Sequence, residues 1–212
     1  MQKTLHYLFD PLCGWCYGAG AILPRLRELP GVSLALLPTG LFSDEGARQM
    51  DAAFAGYAWA NDQRIERLTG QTFSQHYRQH VLGDRERRFD SGPATVALTA
   101  VSLTDPTREL EALMAIQHAR YVDGSDITSH TCLADILHGL GLDAAAARTE
   151  LPDAELLGAN QARLGRARTL MQEFDLHGVP ALIVQSGARR AVLDLSTAYP
   201  NPQAWLNQLA AI

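Results

Sequence analysis

Leu5, Tyr7 and Phe9 alternate with Thr4, His6 and Leu8 near the start of the chain, the two-residue period of a β-strand. From residue 15 the period lengthens. Trp15 or Cys16, Ala19, Ile22, Leu23, Leu26 and Leu29 recur at three- and four-residue steps until Pro30-Gly31, the stripe of a helix with one buried face. Pro24 falls inside that stripe, where it lacks an N–H and crowds the carbonyl of Gly20, so a kink is predicted. Residues 32–37 form a short continuous apolar run, the pattern of a buried strand parallel to the first. Together these segments make a β-α-β unit.

From about residue 43 to about residue 175 the pattern is helical, punctuated at Thr69-Gly70, Leu82-Gly83-Asp84, Asp105-Pro106, Asp123-Gly124 and Leu151-Pro152-Asp153. No useful strand alternation occurs there. After Gly178-Val179-Pro180, residues 181–185 and 190–195 flank a Ser186-Gly187 turn and read as a hairpin. A last helix starts with Asn201 as N-cap and Pro202 at its first position, burying Trp205, Leu206 and Leu209. The order β-α-β, helical block, β-β-α defines an α/β fold class.

With 212 residues, 47% hydrophobic and 19% charged, the chain suits one sizeable core or one domain carrying a large insertion. The net charge of −5 leaves no footprint for nucleic acid or an anionic membrane, and Arg85, Arg87 and Arg88 are interleaved with Asp84 and Glu86 as on a solvated face. The first residues carry one lysine, no long apolar run and no small-residue cleavage site, which points to a cytoplasmic setting without a membrane partner. In such a compartment three cysteines do not form a disulfide scaffold, and a close pair is catalytic or metal-binding.

That pair is Cys13 and Cys16, with Gly14 and Trp15 between them, where the first strand gives way to the first helix. Unpaired N–H groups and the positive end of the helix dipole favour thiolate there, which makes Cys13 the expected nucleophile and Cys16, one turn on, the resolving thiol. Zinc needs four ligands, and beyond Cys132 with His130 or His138 nothing is spaced to complete a set, so no metal is expected. Cys132, beside Leu133, Ile136 and Leu137, reads as a buried inert thiol. Trp15 is expected to be partly exposed and to touch substrate. His177 reads as a loop histidine, and Phe54 with Tyr57-Ala58-Trp59 as packing within the helical block.

Several segments together resemble the DsbA-like branch of the thioredoxin superfamily across essentially the whole chain. Residues 9–17 are similar to the active-site stretch of its FrnE-like and predicted cytosolic disulfide-isomerase members, and Gly178-Val179-Pro180 is similar to its cis-proline loop. Residues 119–127, then Leu133 and Gly141-Leu142-Asp143, resemble the helices of its insert. The resemblance implies a thioredoxin fold with a large helical insertion. Residues 1–42 and 173–212 would form the thioredoxin-like domain, 43–172 the insertion, and a helix at about 154–175 would bridge them.

The resemblance further implies a thiol–disulfide oxidoreductase or isomerase that exchanges disulfides through Cys13 and Cys16. Gly14, Trp15, Asp10, Val179 and a cis Pro180 would complete the site, with the Val179 backbone pairing with an extended substrate. Protein or small-molecule thiols and disulfides are the implied partners, the Cys13–Cys16 disulfide replaces any external cofactor, and glutathione is the candidate co-substrate. A cytoplasmic setting favours the dithiol as the working form, hence reductase or isomerase. Relatives often carry a buried acid six positions before the first cysteine. Here that position is Tyr7, and Asp10 and His6 are the nearest substitutes. Two other classes compete: the kappa glutathione transferases and hydroxychromene-carboxylate isomerases, which would turn over glutathione without a disulfide substrate, and a binding module docking through the insertion with Cys13 dispensable.

Overall fold

The computed structural model describes residues 2–211; Met1 and Ile212, the ends of the expected thioredoxin-like segments, lie outside the described residues. The alternating N-terminal segment forms strand β1 (Lys3–Phe9), paired in parallel with β2 (Val32–Pro38) from Lys3 opposite Val32 to Phe9 opposite Pro38. The C-terminal hairpin of β5 (Ala181–Ser186) and β6 (Arg189–Leu193) adds to the other edge of β1, antiparallel, so the sheet runs β2-β1-β5-β6. Gly187 takes a left-handed backbone (φ 58°) in that hairpin turn, a conformation open to glycine.

Alternation along β1 sorts its side chains onto two layers. Leu5, Tyr7 and Phe9 join the main core with Cys16, Ala19, Ile22, Leu23 and Leu26. Leu8 instead packs with Ala181 and Ile183 under Leu170, Met171 and Phe174. The predicted kink at Pro24 is corrected: the stripe forms two helices, α1 (Gly14–Ala19) and α2 (Leu23–Arg27), and Pro24 sits in the first turn of the second. At that position a missing N–H costs nothing, because the first turn has no intrahelical partner for it.

Between β2 and β5 lies the helical insertion. Its first long helix, α3 (Ala52–Thr69), is capped by Asp51, which accepts from Phe54 N at 2.7 Å, and ends at Gly70 in the left-handed region (φ 75°). Next come α4 (Gly92–Thr104), α5 (Glu109–His118), α6 (His130–Gly139), α7 (Asp143–Glu150) and α8 (Ala154–Glu173). Residues 94–101 of α4 are all buried, so α4 is the hub on which α5, α6, α7 and α8 pack. Wide turns of the π type at Tyr77–Val81 and Ala119–Asp123 bring Tyr77, Arg120 and Tyr121 inward.

Two expectations about this block change. A two-residue antiparallel bridge, β3 (Arg48–Gln49) with β4 (Arg88–Phe89), makes a second small sheet, too short to leave an alternation signal. Tyr57 is 70% exposed, so it does not pack the insertion, whereas Phe54 and Trp59 are half-buried against the core. The last helix, α9 (Pro202–Ala211), starts as predicted, with Asn201 Oδ1 accepting from Ala204 N and Trp205, Leu206 and Leu209 buried.

Candidate active site

Pairing of β1 with β5 places Leu8 opposite Ala181, so the turn after Phe9 and the loop before Ala181 meet at one end of the sheet. The first carries the cysteines and the second Gly178-Val179-Pro180. Across this gap, 166 residues in sequence, the Cys13 thiol donates to the Val179 carbonyl at 3.5 Å. The Val179–Pro180 bond is cis, as the resemblance implied.

The turn is shaped by Asp10. Its carboxylate accepts from Leu12 N at 2.9 Å, Phe42 N at 3.1 Å and Ser91 Oγ at 2.7 Å, tying the start of the dithiol helix to the segment after β2 and to the start of α4. Burial pushes this carboxyl up, while those three donors and the Arg120 charge pull it down. Asp10 is fully buried, so its part in the site is to brace the turn and not to touch substrate. Its oxygens are engaged by those donors, and its charge is felt at Cys16.

Cys13 occupies the N-cap of α1 with an extended backbone, and its carbonyl accepts from Tyr17 N at 3.0 Å. It is 8% exposed, at the rim of the site, with the Val179 carbonyl against its thiol. Cys16, 1% exposed, lies beneath. Burial pushes the Cys16 thiol well above its ordinary range, and its hydrogen bond to Cys13 and the Cys13 charge add to this. Cys16 therefore keeps its proton.

Tyr7 stands where the relatives' acid would be. Its hydroxyl donates to the Cys16 carbonyl at 3.2 Å, and its ring stacks on Phe9 at 5.5 Å. Burial, followed by the Cys16 charge, drives the phenol well up, so it acts as a neutral donor. His6 shares the sheet face of Leu8, away from the dithiol, and bonds Gln185 Oε1 at 2.9 Å. Neither residue supplies a base.

Trp15 is half-buried, as expected, with the Tyr199 ring 5.5 Å away and the Arg64 guanidinium 5.8 Å from its ring. Tyr199 also donates to the Trp15 carbonyl at 3.4 Å. These residues open onto a groove of about 880 Å³ that continues past Leu68, His177, Pro180 and Asp194. The His177 side chain is 85% exposed there. Cys132, on α6, is half-buried and not fully buried, and burial raises its thiol. Among the described residues, no group of three or more His, Cys, Asp or Glu could hold a metal ion.

Sequence reasoning missed Asp62. It is 4% exposed on α3, its Oδ2 accepts from the Tyr77 hydroxyl at 2.9 Å, and its Oδ1 faces Gly14 so closely that a Cβ there would collide with it. The signal was present in the stripe of α3, where Asp62 falls seven residues after Ala55 and three before Ile65, both buried.

A dithiol stacked under a cis-proline loop, at the end of a sheet interrupted by a helical block, defines a thioredoxin-type redox protein. A family model, the DSBA-like thioredoxin domain, matches residues 4–197, and the chain belongs to that family. It is similar to the cytosolic disulfide reductase DsbM from Pseudomonas aeruginosa, at 32% identity over 98% of this chain and 97% of that one, with a TM-score of 0.84. The same reductase solved with GSH matches at 32% identity over 98% of each chain, with a TM-score of 0.82. A Nitrosomonas europaea structure, 22% identical over 98% of this chain and 99% of that one, shares the fold at a TM-score of 0.78. A search of curated proteins finds no match. The chain is a DsbA-like thiol–disulfide oxidoreductase.

Proposed function

We propose that Cys13 and Cys16 are the exchanging dithiol and that the protein is a cytoplasmic disulfide reductase recharged by glutathione. The observation that carries this reading is the stacking of the thiols. Cys13 lies at the rim against the Val179 carbonyl, and Cys16 lies beneath it, with burial holding its proton.

In the forward half, Cys13 thiolate attacks one sulfur of the substrate disulfide; the S–S bond breaks, and the other sulfur leaves as a thiolate that takes up a proton. Cys16 then loses its proton and attacks Cys13 sulfur, closing the Cys13–Cys16 disulfide and releasing the second substrate thiolate. Two electrons pass from dithiol to substrate. In the return half, one glutathione thiolate opens the protein disulfide at Cys13, and a second displaces the first as glutathione disulfide, restoring both thiols.

The similarity to a reductase solved with GSH supports glutathione as the reductant. The groove beside Trp15 is of a size that takes a small peptide, with Arg64 and His177 available to its carboxylates and Asp175 and Asp194 to its amine. The Val179 backbone at the groove's edge would pair with an extended substrate, a role for which the Cys13 contact is support. Retention of both sulfurs speaks against glutathione transfer as the main chemistry, which needs no resolving thiol. The test is to incubate Cys16→Ser and Cys13→Ser variants with glutathione disulfide and weigh the intact proteins. Cys16→Ser should gain one glutathione at Cys13 and Cys13→Ser none; equal gain by both would overturn the assignment.

A further inference from the structure

Near the dithiol, Tyr7, Asp10 and His6 of the thioredoxin-like part are each engaged in hydrogen bonds. Tyr7 is a neutral phenol, the Asp10 carboxylate is held by three donors, and His6 lies on the other face of the sheet. A carboxyl nonetheless reaches the cysteine turn, from the insertion. Asp62 on α3 packs on Gly14, the residue after Cys13, and Ile65 of the same helix packs beside it, 3.1 Å from where a Gly14 Cβ would stand.

We propose that Asp62 is a positioning residue of the dithiol, a carboxyl lent by the insertion that sits against Gly14, next to Cys13, and makes the reactivity of Cys13 depend on the charge it carries. The inference rests on the reading of Cys13 as the nucleophile.

Asp62 has a built environment. From the turn at Tyr77–Val81 the Tyr77 hydroxyl donates to Oδ2. From the turn at Ala119–Asp123 come Arg120, 2% exposed, with its guanidinium 5.5 Å from the Tyr77 ring, and Tyr121, whose ring lies 5.0 Å from that of Tyr77. Burial, the largest influence, pushes the Asp62 carboxyl up, Tyr77 and Arg120 pull it down, and it comes to rest at about 7.

The consequence follows from like charges. When Asp62 is protonated, it adds no charge beside a thiolate at Cys13. When Asp62 ionises, the thiolate forms against a second negative charge in a buried setting, and the uncharged disulfide is favoured over it. Cys13 then reacts more slowly when Asp62 is ionised than when it is protonated.

The experiment is the rate of Cys13 alkylation by iodoacetamide against pH in wild type, Asp62→Asn and Tyr77→Phe, with folding verified by circular dichroism. Asp62→Asn keeps the shape and removes the charge. It should alkylate about tenfold faster than wild type on the alkaline side and at the same rate on the acid side, since a tenfold change corresponds to one unit of coupling. Tyr77→Phe, which removes the donor to the carboxylate, should move the inflection to higher pH. A purely structural role would shift rates equally at every pH. Superimposable profiles for wild type and a folded Asp62→Asn, or an unmoved inflection in Tyr77→Phe should Asp62→Asn not fold, would overturn the proposal. Failure of Cys16→Ser to gain a glutathione at Cys13 would instead refute the reading beneath it, and the alkylation profiles would be scored separately.

Discussion

Gly14 is the residue at which the dithiol helix and the insertion touch, and the space it leaves is taken by Asp62 Oδ1 and Ile65 Cδ1. Asp62 is held from behind by Tyr77 and cannot swing aside without losing that bond. Gly14→Ala should therefore cost about 1–3 kcal/mol of stability through overpacking, read from the urea midpoint, although the φ of this helical residue suits alanine and helix propensity alone would favour it. The neighbouring Trp15 opens on the groove and should tolerate change far better. At this scale the dithiol was legible because its chemistry is local: two thiols, two residues apart, at a strand-to-helix junction. Asp62 was not, since nothing in the run around it says that Gly14, 48 positions earlier, completes its surroundings. Asp10 shows the converse, in that proximity in sequence suggested a substitute for the missing acid and the fold used its carboxylate as a brace.

Among the elements, α8 ties the insertion back to the sheet through one buried cation. Arg163 meets the Glu109 carboxylate of α5, donates to Thr99 Oγ1 of α4 at 3.1 Å and to the Leu36 carbonyl of β2 at 3.1 Å. Burial pushes the Glu109 carboxyl up and Arg163 draws it back. Removing one partner strands the other in the core, so Arg163→Ala should destabilise by about 3–5 kcal/mol in urea unfolding, whereas the double change Arg163→Met with Glu109→Leu should cost less than either single truncation. Strand and helix periods were legible wherever an element ran long enough to show one, and the hairpin was marked by its Ser186-Gly187 turn. The break before Pro24 and the two-residue bridge of β3 with β4 were not, because a proline is as compatible with a new first turn as with a kink, and two residues carry no period.

For the whole molecule, the acids that matter to stability are the buried ones. Asp10, Asp62 and Glu109 are all raised by burial, so between their unfolded and folded values the native state holds more protons than the unfolded chain. Stability contributed by such groups is full below the unfolded value and is lost as pH rises through the folded one. For Asp62 the window runs from 3.8 to about 7, and the loss across it is on the order of 4 kcal/mol. Thermal unfolding against pH should show Asp62→Asn gaining on wild type through that window and level with it below. The exposed N-cap carboxylates Asp51 and Asp153, and the turn carboxylate Asp84, are lowered and work with the opposite sign, weakly, as water screens them. The overall architecture was legible because a helical block between two strand groups leaves a long unmistakable signature. That interruption also has a bearing on how the protein is born. Cys13 and the carbonyl that covers it are 166 residues apart, and at about 5–20 residues per second a ribosome delivers the second roughly ten to thirty seconds after the first. For that interval each nascent chain carries an unlidded dithiol past the thiols and disulfides of its surroundings, with β1 able to find β2 but not yet β5, so the redox state in which the enzyme begins life is decided by the cell before the enzyme can act on it.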